Sequence, residues 1–92
     1  MIRSFKDRDT AQLFDDEHIA RFRAIERQTR RKLRYLHRAR TIHDLRVPPS
    51  NRLDTLGGNR KGHHSVRIND QWRICFRSRD GGAHDVEIVD CR

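Results

Sequence analysis

Lysine is nearly missing from this basic chain: of 21 Lys and Arg residues, only Lys6, Lys32 and Lys61 are lysines, and 92 residues carry a formal charge of +8. A surface built for general solubility has no need of that bias. Arginine's planar fork suits bidentate contact with phosphate or carboxylate, so the imbalance points to a polyanion, with nucleic acid the leading class. Long apolar runs are also missing, which excludes a membrane-spanning helix, and the chain does not open with the charged and apolar regions of an export signal. Cysteine occurs only as Cys75 and Cys91, a spacing that fits no zinc or iron–sulfur pattern. Reduced thiols in a cytoplasmic protein are the expectation, with a Cys75–Cys91 disulfide the less favoured reading. No metal or other cofactor is expected, because His63 and His64 alternate faces in a strand and cannot easily share an ion.

Apolar residues make up 34% of the chain and charged ones 37%, a balance that borders on disorder. The apolar residues are periodic, however, and periodicity argues for one small folded domain spanning 1–92. There are no repeats and no linker. The opening "MIRSFKD" reads as a short edge strand, and "DTAQLFDDEH" as a short helix capped by Asp9 or Thr10. Over 16–40, Ile19, Phe22, Ile25, Thr29, Leu33, Leu36 and Ala39 or Arg40 recur at steps of three and four, one face of a single helix. Its other faces carry Arg21, Arg23, Arg27, Arg30, Arg31, Lys32, Arg34 and Arg38, and between Arg21 and Arg38 they are opposed by Glu26 alone. Charge of one sign favours a binding surface over a merely solvated one, and Arg27, Arg30 and Arg34 are the expected partner contacts. After Pro48-Pro49 the period changes to two, and glycines punctuate the rest. The expected architecture is α+β, with N-terminal helices packed on one face of a small, mainly antiparallel sheet.

The stretch "HSVRINDQWRICFRSRD" fixes a register. A loop of Asn69-Asp70-Gln71 pairs Val66 with Ile74 and His64 with Phe76, placing every apolar side chain on one face. It also sets Arg67 directly against Arg73 on the other face, where like charges destabilise a ladder. Folding alone would not choose that pair. Removing Arg73 is accordingly expected to be nearly neutral for stability. A second loop, Asp80-Gly81-Gly82, is expected to oppose Arg77 with Asp85 and Arg73 with Val89, bringing Asp90, Cys91 and Arg92 near the arginines. His64 faces the core and reads as structural, while His63 is the exposed candidate. Clustered arginines stabilise phosphate and its transition state, and RNA brings its own 2′-OH nucleophile. The basic lead-in to the hairpin, Arg60, Lys61 and His63, joins Arg67 as the expected RNA contacts.

The run "GNRKGHHSVRINDQWRICF", with "DVEIVD" near the end, resembles the HigB group of the RelE/ParE toxin superfamily. "MIRSFKD" and "LRVPPSNRLDTLGGNR" extend the likeness over nearly the whole chain. The resemblance implies a compact RelE-like fold and a toxin of a type II toxin–antitoxin operon. It implies metal-independent cleavage of mRNA in the ribosomal A site. It also implies a HigA-like helix-turn-helix antitoxin, through which operator DNA is met only indirectly. Arg73 of "QWRICF" matches the family's sheet arginine and Asp90 its acidic residue near the C-terminus. The family commonly ends Asp-Tyr-His, whereas this chain ends Asp90-Cys91-Arg92, and Asp54 and Gly57 stand where some members carry His and Lys. Cys91 does not stack on a base as tyrosine does, and Arg92 cannot accept a proton. The expected activity is therefore a slowed mRNA endonuclease carried by Arg73, Asp90, Cys91 and Arg92. Two alternatives stay open: a non-catalytic module that binds RNA or antitoxin, and a ParE-like gyrase poison.

Overall fold

The sheet is built as the alternating half of the sequence requires. In a computed structural model that describes residues 1–55 and 62–90, β1 (Asp54–Thr55), β2 (His63–Arg67), β3 (Trp72–Arg79) and β4 (Gly82–Asp90) form an antiparallel sheet in that order. The first hairpin has the expected register: His64 faces Phe76, Val66 faces Ile74 and Arg67 faces Arg73. Its turn is held by the Asn69 side chain, whose Oδ1 accepts from the backbone N–H groups of Gln71 and Trp72, both at 2.8 Å. An asparagine that replaces a backbone acceptor in this way fixes where the hairpin reverses.

The second hairpin differs from expectation by one residue. Arg79 pairs with Gly82, so the loop is the two-residue Asp80-Gly81, with φ of +51° and +74°. Asp-Gly is the pair that tolerates left-handed conformations at both central positions of a tight hairpin turn. The shorter loop would push Val86 off the core. A bulge in β4, where Asp85 at φ +52° and Val86 together stand opposite the single residue between Cys75 and Arg77, absorbs the extra residue. Val86 is thereby fully buried, and Ile74 still faces Ile88 and Arg73 still faces Val89. Arg77 consequently faces His84 and not Asp85.

The opening segment is an edge strand in substance, running parallel to β4 through bridges Ile2–Ala83 and Phe5–Val86. Four backbone hydrogen bonds of 2.7–3.1 Å tie it down and cover the edge that β4 would otherwise expose. The approach is close: a Cβ on Gly82 would stand 2.5 Å from Cγ of Arg3.

Two helices pack on the apolar sheet face. α1 (Arg8–Phe14) is capped by Asp7 and not by Asp9 or Thr10. Asp7 takes the Thr10 backbone N–H at 3.0 Å and the Thr10 hydroxyl at 2.7 Å, satisfying a buried side chain along with the helix end. The single helix expected over 16–40 is two pieces, a 3₁₀ segment at Ala20–Ile25 and α2 at Glu26–Arg38. The spacing of the apolar residues accounts for the change. Ile19, Phe22 and Ile25 recur at three, the 3₁₀ period, and Thr29, Leu33 and Leu36 then take up the α period. α2 gives way to two further 3₁₀ turns, Ile42–Arg46 and Pro49–Asn51. The first is closed by a capping box of Thr41 and Asp44, and backbone donors at Arg40 and Thr41 hold the Asp44 carboxyl below its usual range. The core between helices and sheet is centred on Leu13, Phe22, Leu33, Ile74, Phe76 and Val86. Lys32, expected on the charged surface, is buried within this arrangement, only 9% exposed, because it shares the face of Thr29, Leu33 and Leu36. No helix among the described residues is long and apolar enough to cross a membrane.

Candidate functional site

The helices cover one sheet face and leave the other to polar side chains. Along that face run His63, Ser65 and Arg67 from β2, then Arg77, Cys75 and Arg73 from β3, in facing pairs. The charge is graded along it. At one end His63 faces Arg77, and Lys6 meets Glu87 at 3.3 Å, so basic and acidic groups are mixed. At the other end Arg67 faces Arg73 and a valine, Val89, flanks them.

Arg73 is not a loose surface arginine. Its Nε donates to the hydroxyl of Ser65 at 2.9 Å, and Ser65 is 1% exposed. Its Nη2 donates to the carbonyl of Arg52 at 2.9 Å. That carbonyl is presented by a left-handed residue, Arg52 at φ +42°, which closes the 3₁₀ turn Pro49–Asn51. Two of the five guanidinium donors are thus committed to positioning the group. The expectation that Arg73 is dispensable for folding does not fit this geometry, since its loss would strand a buried hydroxyl. Arg67 meanwhile pairs with Asp70, which is almost fully solvated. That exposed pair softens the Arg67–Arg73 repulsion at little energetic gain of its own.

The remaining expected site residues fall in different places. Asp90 faces Trp72, whose ring packs edge-on against Phe22 at 5.8 Å on the helix side of the sheet. Strand alternation therefore turns Asp90 away from the Arg73 face, and its carboxylate accepts from Gln71 Nε2 at 3.0 Å. His63 lines a small cleft of about 80 Å³ with Lys6, Cys75 and Glu87. It stands four residues up β2 from Arg67, about 13 Å away along the strand. His64 is buried, stacks on Phe76 at 5.6 Å and shares a 3.1 Å contact between Nδ1 and the Thr55 hydroxyl. Burial lowers its pKa, and the neighbouring charge of His63 adds to the effect. Arg60, Lys61, Cys91 and Arg92 lie outside the described residues.

The arginines of the 3₁₀ segment Ala20–Ile25 and of α2 are less uniform than their sequence. Acidic residues from the segment around α1 fold back onto them. Arg21 meets Asp7 and Asp9 at 3.3 and 2.9 Å, and Arg34 meets Asp16 at 3.4 Å. Arg30 is a tie across the fold: it pairs with Glu26 at 2.7 Å and donates to the carbonyls of Leu13 and Glu17 at 3.0 and 2.6 Å. Arg27 and Arg34 are exposed, whereas Arg30 is half-buried in this network. Sequence reasoning passed over Ser65 and Arg52 as the supports of Arg73. Ser65 had a readable signal, a small polar residue one alternation from Arg67, but the Arg52 carbonyl had none.

A family model for the "RelE-like toxin of type II toxin-antitoxin system HigB" matches residues 3–91. Toxin HigB-1 of Vibrio cholerae serotype O1 is 41% identical over 85 residues, covering 90% of each chain. Among solved structures, YafQ from E. coli strain BL21(DE3) superposes with a TM-score of 0.57 at 14% identity, over 98% of this chain and 93% of that one. The YoeB–YefM complex from Staphylococcus aureus gives a TM-score of 0.52, also at 14% identity, over 100% and 95% of the two chains. Those two likenesses establish the shared fold, helices on one face of an antiparallel sheet, and the sequence matches establish kinship. The chain belongs to the HigB family of RelE-like toxins of type II toxin–antitoxin systems.

Proposed function

We propose that this toxin is a ribosome-dependent, metal-independent mRNA endonuclease that stops translation and is neutralised by a HigA-like antitoxin. The observation that carries the reading is Arg73, locked by Ser65 and Arg52 on an open sheet face directly opposite a second arginine. A fixed guanidinium at that position is suited to the scissile phosphate. It holds charge that grows as the 2′-OH attacks the phosphorus and the 5′-oxygen leaves. The 2′-OH proton must go to a base and the 5′-oxygen must gain one. Neither of the described proton carriers expected here stands beside Arg73, since Asp90 points to the other face and His63 lies too far along β2. Cys91 and Arg92 stand where the family commonly carries Tyr and His, which removes two further candidates. The enzyme is therefore a slow one, relying on positioning and electrostatics.

Association with the antitoxin or ribosome falls to the exposed arginines of α2, Arg27 and Arg34 first, and operator DNA is reached only through the antitoxin. The Staphylococcus aureus neighbour was solved with YefM, which supports a protein partner for this fold. A second reading, an RNA- or antitoxin-binding homologue without cleavage, is favoured by the same two residues. Incubating reporter mRNA with the purified protein, with and without ribosomes, separates the two. Cuts within codons that appear only with ribosomes support the endonuclease, and intact mRNA under both conditions supports the binding module.

A further inference from the structure

A second basic site adjoins the Arg67–Arg73 pair. Between α2 and the β2–β3 turn opens a cleft of about 350 Å³, whose walls include Arg31, Lys32, Tyr35, Ser50, Arg67 and Asn69. Among the described residues no carboxylate lines it, and Asp70 touches Arg67 from the solvent side. Lys32 is the unusual member. It is 9% exposed, and its ammonium donates to two neutral acceptors, Asn51 Oδ1 and, at 3.4 Å, Ser50 Oγ. Asn51 is itself fully buried and held by the Leu45 carbonyl at 3.1 Å, so the ammonium sits in a prepared seat. Burial lowers the Lys32 pKa, and the charges of Arg31 and Arg67 push the same way. Among the described residues this buried ammonium has no acidic partner, which works against the fold's own electrostatics, and groups held at such a cost cluster at functional sites. The Tyr35 ring lies 6.0 Å from the same nitrogen and offers a flat wall beside the cations. Cations for a phosphate and an aromatic face for a base are the two parts of a single-strand binding groove.

We propose that this cleft holds a backbone phosphate of the RNA strand, adjacent to the phosphate at Arg73, with the neighbouring base against Tyr35. The proposal rests on the reading of the Arg73 face as the RNA site. Arg67 links the two, since it faces Arg73 across the ladder and also lines the cleft. The cleft fixes the direction in which the strand leaves the scissile position, supplying positioning that the described side chains beside Arg73 do not.

The test is a backbone-amide NMR titration of the full chain with a short 2′-O-methyl oligoribonucleotide, which cannot be cleaved, and separately with inorganic phosphate. The oligonucleotide should shift Arg31, Lys32 and Asn69 together with Arg73. Arg31→Gln should lower its affinity several-fold and reduce the salt slope by about one, without changing the melting temperature. Tyr35→Leu should lower affinity for the oligonucleotide and leave phosphate binding as it was. Both variants keep Lys32, so the outcome does not hinge on whether a Lys32 replacement folds. Shifts confined to the Arg73 face would overturn the cleft alone. No shift at either place would overturn the RNA reading of both. If inorganic phosphate binds the cleft and the oligonucleotide fails to displace it, the site takes a free anion and the RNA assignment is wrong.

Discussion

Arg73 Nε and Ser65 Oγ lie 2.9 Å apart across β2 and β3, and the serine is buried beneath the guanidinium. The pair joins stability to function. Arg73→Ala leaves the Ser65 hydroxyl and the Arg52 carbonyl short of a donor, so it should cost about 1–3 kcal/mol in urea unfolding. Relief of the Arg67 contact offsets only part of that. Ser65→Ala removes one weak bond and should cost less than about 1.5 kcal/mol, while freeing Arg73 to wander and slowing cleavage about tenfold. Equal stability losses in the two variants would show that the serine, and not the arginine, is the element the fold depends on.

Arg30 and its neighbours Arg27 and Arg34 should separate cleanly. Arg30→Gln breaks ties to Leu13, Glu17 and Glu26 and should destabilise by about 1–3 kcal/mol. Arg27→Glu with Arg34→Glu should leave the melting temperature within a few degrees, yet weaken antitoxin or ribosome binding and flatten its dependence on salt. Binding of both partners unchanged at physiological salt would remove α2 from the interface.

Acid should loosen the sheet through His64. Its folded pKa is depressed by burial and by His63, below the ordinary 6.5. The unfolded chain therefore takes up the proton first, and the contribution present above pH 6.5 is lost as pH falls through the folded value. Thermal melts from pH 8 to 5 should show the decline in wild type and a shallower one in His64→Gln. Parallel curves would mean that another group sets the acid limit.

Much of this was legible in the chain. The first hairpin followed from putting Val66, Ile74 and Phe76 on one face, and the Arg67–Arg73 pair came with it. The second hairpin slipped because a bulge at Asp85 trades one residue between loop and strand, which a two-residue period cannot reveal. α1 began earlier than expected because Asp7 satisfies the buried Thr10 as well as the helix end. Lys32 reads as surface by its charge, but its place on the Thr29–Leu33–Leu36 face buries it. The neutralisation of Arg21 and Arg34 depends on how the segment around α1 folds back, a tertiary fact with no local signature. Arg73 stands out in the sequence by its repulsive pairing, but the Arg52 carbonyl that steadies it depends on a left-handed turn far away in sequence.

Positions 91 and 92 offer a gain-of-function test. Arg92 cannot take a proton, whereas a histidine there titrates near neutrality and a positioned acid–base group contributes about 10²–10⁴-fold. Cys91→Tyr combined with Arg92→His should cleave faster at neutral pH, with a rate that falls as the new imidazole is protonated. A double variant no faster than the natural chain would show that proton transfer at the C-terminus is not what limits it.

The central claim is that Arg73 stabilises the scissile phosphate. Its most direct test is the single-turnover rate of mRNA cleavage on programmed ribosomes by wild type and by Arg73→Ala, at equal ribosome occupancy and below the variant's melting temperature. A fall of about 10²-fold or more is predicted, the scale of losing one preorganised charge-stabilising group. An unchanged rate from a folded, ribosome-bound Arg73→Ala protein would contradict the account.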